Sequence, residues 1–203
     1  MKIQSKSKLL MIGDSITDCG RFGTADGLGE GYVRFLEAAL RDEEIKVINK
    51  GISGDTVRDL KARWQRDVLD LNPDWLSVMI GINDVWRQID NWEPEENWIL
   101  VDEYEQTLDA LLGAVTPSLK GLVLMTPYVL DLNKNDEMRA KMDVYGLVVR
   151  QLAEKYGAFF VDTQATFDDF LQTTDASVIS NDRVHMNAVG HQVLTKAFLA
   201  AIE

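Results

Sequence analysis

Ser15 stands in Leu9-Leu10-Met11-Ile12-Gly13-Asp14-Ser15-Ile16-Thr17-Asp18, where an apolar run stops at Gly-Asp-Ser. A run that short reads as a buried strand, and the closing glycine permits a sharp turn. The serine is then expected where a strand gives way to a loop, the edge at which open α/β sheets bind ligands. The sequence holds two histidines, His185 and His191. His185 lies in Asn181-Asp182-Arg183-Val184-His185-Met186-Asn187, a loop leading into a helix. A carboxylate three residues ahead of a histidine can fold back on the imidazole. Asp182 accepting the Nδ1 hydrogen leaves Nε2 free to take a proton from Ser15. Acyl transfer at an ester needs such a base, because a serine hydroxyl alone is a poor nucleophile. It also needs donors for the oxyanion, and the Ser15 N–H, the Gly54 N–H and the Asn83 side-chain amide are available. Each residue has a plainer use: His185 as a satisfied polar side chain, Asp182 as a turn residue, Asn83 as an Asx-turn, Gly54 for a positive φ. Their joint occurrence at strand ends and in the last loop favours the catalytic reading.

The elements that must position these residues alternate along the chain. After Ser15 comes a glycine-dense loop, Gly20 to Gly31, and then Tyr32, Phe35, Leu36, Ala39 and Leu40 at helical spacing. Ile45 to Asn49 reads as a second strand, and Gly51 to Asp55 as a loop. Thr56 can cap the following helix with Asp59 three residues on, and Val57, Leu60, Trp64 and Val68 form its buried stripe. Trp75 to Ile80 is a third strand, ending at Gly81-Ile82-Asn83-Asp84, and an irregular segment follows from Val85 to Trp98. Val101, Tyr104, Leu108, Leu111 and Val115 mark a helix, Gly121 to Met125 a fourth strand closed by Thr126-Pro127, and Met138 to Tyr156 another helix. Ala158 to Val161 is a fifth strand, Thr163 to Leu171 a short helix, and Ala188 to Ala201 a last helix capped by Asn187. Strands alternating with helices predict a parallel sheet covered on both faces, a three-layer α/β/α sandwich in one domain over residues 1–203. The loops after the first three strands open at one edge of that sheet, which brings Ser15, Gly54 and Asn83 together.

A length of 203 residues fits one domain, and 46% apolar residues supply a sizeable core. The formal charge of −12 argues against nucleic acid and anionic membrane surfaces as partners. The basic start, Met1 to Lys8, is followed by an apolar segment of Leu9 to Ile12 only, too short for a signal-peptide core, so a cytoplasmic location is expected. One cysteine, Cys19, excludes an internal disulfide and a cysteine-rich zinc site. His191 lies six residues after His185, not the three or four of a helical metal pair, and reads as structural. No metal and no organic cofactor is expected.

The blocks Gly13-Asp14-Ser15-Ile16, Gly51-Ile52-Ser53-Gly54, Gly81-Ile82-Asn83-Asp84 and Asp182-Arg183-Val184-His185 resemble, in order and spacing, the four signature blocks of the SGNH (GDSL-type) hydrolases. The resemblance spans nearly the whole chain, with Ile16 in place of the usual leucine. It implies a flavodoxin-like fold with a five-stranded parallel sheet. It further implies Ser15 as nucleophile, His185 as base, Asp182 as its orienter, and Ser15, Gly54 and Asn83 as oxyanion donors. Gly13 to Arg21, Val57 to Trp64, Gly81 to Gln88 and Met125 to Tyr128 look more narrowly like the intracellular bacterial acetylxylan esterases of that superfamily. That likeness implies removal of acetyl groups from xylo-oligosaccharides.

Asp14, Trp86 and Arg87 are the candidate substrate-binding residues. Trp86, Trp92 and Trp98 follow the third block, and aromatic faces suit stacking on a sugar ring. Trp86, three residues past Asn83, is the pocket candidate, whereas local core or a subunit interface is favoured for Trp92 and Trp98. Arg87 is left open between holding the pocket wall and binding a carboxylate. Cys19 is read as a packing residue with no base beside it, and Glu93 to Glu96 as a solvated acidic surface. The expected protein is a serine esterase acting on an acetylated sugar, assembled as a homo-oligomer. The same machinery on another ester gives a short-chain carboxylesterase, lysophospholipase or thioesterase, and a non-catalytic carbohydrate-binding protein is the rival from another class.

Overall fold

The computed structural model describes residues 2–90 and 93–203. Strand β1 (Lys8–Gly13) carries Leu9, Leu10, Met11 and Ile12, all wholly buried, as a strand covered on both faces requires. It runs into a single helical turn, α1 (Ser15–Asp18), capped by Asp14, whose carboxylate accepts from the Ile16 N–H at 3.0 Å. Ser15 therefore begins a helical turn rather than a loop. Gly13 allows this abrupt change, because a Cβ there would lie 2.3 Å from the Met79 carbonyl oxygen and 2.5 Å from Thr17 Oγ1.

Helix α2 (Tyr32–Leu40) buries Tyr32, Val33, Leu36 and Leu40. Val33 takes the core position expected of Ala39, which faces solvent, so the stripe is rotated by part of a turn. Strand β2 (Lys46–Gly51) buries alternate residues, the pattern of an edge strand. Helix α3 (Val57–Trp64) starts at a reciprocal capping box between Thr56 and Asp59, and a wider turn over Gln65–Leu69 carries Val68 into the core. Strand β3 (Trp75–Met79) is buried throughout. The segment after it is more ordered than its composition suggests: helix α4 (Ile82–Trp86) forms at once, and a short turn covers Glu95–Asn97. Trp92 lies outside the described residues.

Helix α5 (Val101–Val115), strand β4 (Gly121–Met125), helix α6 (Glu137–Tyr156), strand β5 (Phe159–Val161), helix α7 (Thr163–Leu171) and helix α8 (Ala188–Ile202) complete the chain. Asn187 caps α8 as its sequence suggests. The five strands are all parallel in the order β2-β1-β3-β4-β5. Helix α2 packs on α8 and α8 on α7 over one face, and α3 packs on α5 and α5 on α6 over the other. The strand order reverses between β1 and β3, so a crevice opens at their carboxyl ends. Among the described residues, no helix is long and apolar enough to cross a membrane.

Candidate active site

Ser15 enters the crevice from the first residue of α1, and His185 meets it from the loop before α8, 170 residues away in sequence. Ser15 Oγ lies 2.9 Å from His185 Nε2, and His185 Nδ1 lies 2.6 Å from Asp182 Oδ2. The other oxygen of Asp182 holds the loop together. Oδ1 accepts from the His185 N–H at 2.7 Å, the Val184 N–H at 2.9 Å and the Ser180 hydroxyl at 3.0 Å. Partial burial works to raise the Asp182 pKa, but the hydrogen bonds from His185, Val184 and Ser180 outweigh it and hold the carboxyl at about 2.

Arg183 turns this loop with a left-handed φ of 66°. Its guanidinium reaches Asp131 at 2.6 Å and Asp136 at 3.2 Å. The buried Tyr128 hydroxyl donates to the Val184 carbonyl at 2.8 Å, and the Leu130 N–H to the Arg183 carbonyl at 2.9 Å. The histidine loop is thus fastened to the segment that follows β4.

The loop after β2 brings Gly54, whose φ of 86° turns its peptide toward the crevice. Three side chains fix this loop. Asp18 Oδ2 accepts from the Ser53 N–H at 3.0 Å and the Ser53 hydroxyl at 2.6 Å. Arg87 Nη2 donates to the Gly54 carbonyl at 2.5 Å while Nη1 pairs with Glu93 at 3.0 Å. Asn83 Nδ2 donates to the Asp55 carbonyl at 2.9 Å, which orients the amide and leaves its second hydrogen for a ligand. Among the described residues, no protein group accepts from the Ser15 or Gly54 N–H. An anionic oxygen over Ser15 would find three donors there.

A cavity of about 380 Å³ joins Ser15, Gly54, Asn83 and His185, and Ile16, Cys19, Met186 and His191 form its remaining wall together with Ser53. A second cavity of about 240 Å³ shares Gly54 and Asn83 and is lined by Trp86, Arg87 and Asp90. The Trp86 ring stands 6.0 Å from the His185 ring, centre to centre. Ser15, Asp182 and His185 are therefore assembled with Gly54 and Asn83, and Trp86 and Arg87 flank them.

Several expectations need correcting. Asp14 does not reach the crevice: it is 2% exposed, because its carboxylate is turned inward to cap α1. Burial, with the charges of Asp84 and Asp55 nearby, pushes its pKa up to about 7 despite the Ile16 N–H. His191 Nε2 lies 3.4 Å from Cys19 Sγ, a contact the sequence did not suggest, but the Tyr32 N–H occupies Nδ1, so Nε2 carries the ring hydrogen and gives the thiol no base. Glu93 is not simply solvated, because it anchors Arg87, which both braces the wall and binds a carboxylate. Trp98 belongs to local structure: its Nε1 donates to the Glu93 carbonyl at 3.2 Å and Lys141 lies over its ring.

Arg63, Asp18, Ser180 and Tyr128 escaped the sequence reading although they brace the reacting groups. Arg63 is 7% exposed and bonds the Gly13 carbonyl, the Lys50 carbonyl and Asp55 at 3.0, 2.7 and 2.6 Å. One signal pointed to it: an arginine three residues after Leu60, on the edge of α3's buried stripe. Among the described residues, no group of three or more His, Cys, Asp or Glu is placed to hold a metal ion.

Comparison with known proteins finds similarity along the whole chain. Residues 11–193 match the model of the GDSL-like lipase/acylhydrolase family. The acetylxylan esterase of Geobacillus stearothermophilus is 51% identical over 211 residues, covering 100% of this chain and 96% of that protein. Among solved structures, LAE5, an alpha/beta hydrolase enzyme from the metagenome of Lake Arreo, superposes with a TM-score of 0.96 at 46% identity, covering 100% of this chain and 97% of that one. A serine-to-alanine catalytic mutant of the Geobacillus acetylxylan esterase Axe2 gives a TM-score of 0.94 at 49% identity, covering 100% of this chain and 96% of that one.

Proposed function

The chain belongs to the GDSL-like lipase/acylhydrolase family, and from that membership we propose that it is a serine esterase removing O-acetyl groups from xylo-oligosaccharides. It is a carboxylic ester hydrolase; the substrate and the residue roles are our reading. Ser15 attacks the acetyl carbonyl while His185 Nε2 takes its proton, and Asp182 stabilises the imidazolium that results. The Ser15 and Gly54 N–H groups and the Asn83 amide receive the oxyanion, each donor contributing a factor of about 10² to 10³ in rate. His185 then protonates the departing sugar oxygen. A water activated by the same nitrogen attacks the acyl-serine and releases acetate.

The observation that carries this reading is the continuous relay from Ser15 Oγ to His185, 2.9 Å, and from His185 to Asp182, 2.6 Å, beside three unused donors. The sugar part rests on the acetylxylan esterase relative and on the aromatic face of Trp86 next to His185. We further read the enzyme as a cytoplasmic homo-oligomer without nucleic-acid or membrane partners. Its charge of −12 and its exposed Phe22, Leu100 and Val178 favour that view. Cell fractionation and light scattering on the purified protein test it.

The deciding experiment measures acetate released from acetylated xylo-oligosaccharides, beside aryl esters of increasing chain length and a Ser15→Ala control. Rapid release from the sugar, abolished in Ser15→Ala, is expected. Activity on long-chain esters with the sugar untouched overturns the substrate. Turnover retained by Ser15→Ala overturns the nucleophile. A protein that binds the sugar and hydrolyses nothing overturns the enzyme reading altogether.

A further inference from the structure

We propose that the wall formed by Ile16, Cys19, Met186 and His191 receives the acyl group of the substrate, and that Cys19 and Met186 set the longest acyl chain the enzyme accepts. The proposal rests on the esterase reading above. It follows from where the substituents of the tetrahedral carbon can go. One is Ser15 Oγ. A second, the oxyanion, takes the side of the Gly54 and Asn83 donors. The leaving oxygen must collect its proton from His185, and the Trp86 ring 6.0 Å away, with Arg87 and Asp90 beyond it, offers a sugar both a stacking face and polar groups. Neither Trp86 nor Arg87 lines the larger cavity, and none of Ile16, Cys19, Met186 or His191 lines the smaller. The acyl carbon is left with the larger cavity.

The chemistry of that wall suits a short alkyl group. Ile16 and Met186 are buried apolar side chains. The Tyr32 N–H donates to His191 Nδ1 at 3.2 Å, so the single hydrogen of the neutral ring sits on Nε2 and faces Cys19 Sγ. Burial, helped by the charge of His185, pulls His191 down to about 4. Burial pushes the Cys19 thiol up, and the Glu30 and Asp18 carboxylates add to it. Both groups are uncharged at neutral pH, and an acetyl methyl meets no ion.

The wall also has nowhere to retreat. A Cβ placed on Gly31 would lie 2.9 Å from both Cys19 Sγ and His191 Cε1, and one on Gly190 would lie 2.8 Å from Met186 Sδ. Backbone thus presses directly behind the thiol, the imidazole and the thioether. Cys19 is itself fixed one helical turn after the nucleophile, its N–H donating to the Ser15 carbonyl at 2.9 Å. A longer acyl chain meets side chains that cannot move back.

The test compares kcat/KM for 4-nitrophenyl acetate and 4-nitrophenyl butyrate in the wild type, Cys19→Gly, Met186→Ala and Trp86→Ala. Cys19 has a left-handed φ of 39°, which glycine adopts freely, so Cys19→Gly enlarges the wall without backbone strain. Met186→Ala enlarges it independently. Each is expected to raise the butyrate-to-acetate ratio by about tenfold or more, as for a pocket gaining room for extra methylenes. Trp86→Ala is expected to leave that ratio within about twofold while slowing release from acetylated xylo-oligosaccharides. An unmoved ratio in both wall variants, with acetate still turned over, overturns the acyl wall alone. So does a ratio that moves in Trp86→Ala instead. A wild type that hydrolyses neither aryl ester overturns the esterase reading and this proposal with it.

Discussion

Asp182 uses its two oxygens differently: Oδ2 faces the His185 ring, and Oδ1 gathers the two backbone N–H groups and the Ser180 hydroxyl that shape the loop. Asp182→Asn keeps the shape and removes the charge, and an amide nitrogen presented to Nδ1 favours the wrong tautomer. We expect kcat to fall by about 10³ to 10⁴ with KM nearly unchanged, read from steady-state kinetics on an aryl acetate. Asp14 predicts a pH effect of a different kind. Its carboxyl ionises at about 7 in the folded protein against 3.8 for a free side chain, because burial opposes the charge. The unfolded chain thus loses this proton first. Stability falls as pH rises from about 4 to about 7 and levels off above. Asp84, buried and also raised to about 7, acts with the same sign. Asp14→Asn retains an acceptor for the Ile16 N–H and removes one of the two ionisations. His191, pulled down to about 4 by burial, works with the opposite sign over the lower part of that window. Denaturant titrations at several pH values should therefore show the wild-type decline in stability relieved by about one proton, roughly 1.4 kcal/mol per pH unit, in Asp14→Asn.

The elements around the crevice owe their mutual positions to a few buried polar side chains. Arg63 on α3 joins the ends of β1 and β2 through the Gly13 and Lys50 carbonyls and pairs with Asp55 and Asp67. Arg63→Met leaves those carboxylates and carbonyls unmatched in a buried place. A loss of about 3–5 kcal/mol follows, seen as a melting temperature lower by roughly 10 °C. Elements of this kind are only partly legible in a sequence. The apolar runs of β1 and β3, the Thr56–Asp59 box and the Asn187 cap are local signals, and each formed where its residues pointed. The segment after β3 misled because Gly81-Ile82-Asn83-Asp84 resembles a turn, yet its Ile82 and Val85 are buried one helical turn apart and draw the chain into α4. Asp14 misled because its neighbour in sequence is the serine, while the choice between crevice and core depends on which way α1 winds.

At the scale of the molecule, alternation of strands and helices was enough to predict a parallel sheet covered on both faces, and the reversal between β1 and β3 explains where the crevice opens. Ser15, Gly54 and Asn83 could be grouped in advance because they end three strands of one sheet. The contact of Cys19 with His191 could not, since 172 residues separate them and no periodicity links a thiol after β1 to an imidazole on α8. The 170 residues between Ser15 and His185 also have a kinetic meaning. Closing so long a loop is among the last events a folding chain completes, because its entropy cost is met only after nearer contacts exist. Turnover is therefore a clock for the end of folding: on refolding from denaturant, burial of Trp64 and Trp75, followed by fluorescence, should precede the return of hydrolysis. A chain still emerging during synthesis would have its nucleophile long before it had a base, and so would remain chemically silent until its final loop closed over the first.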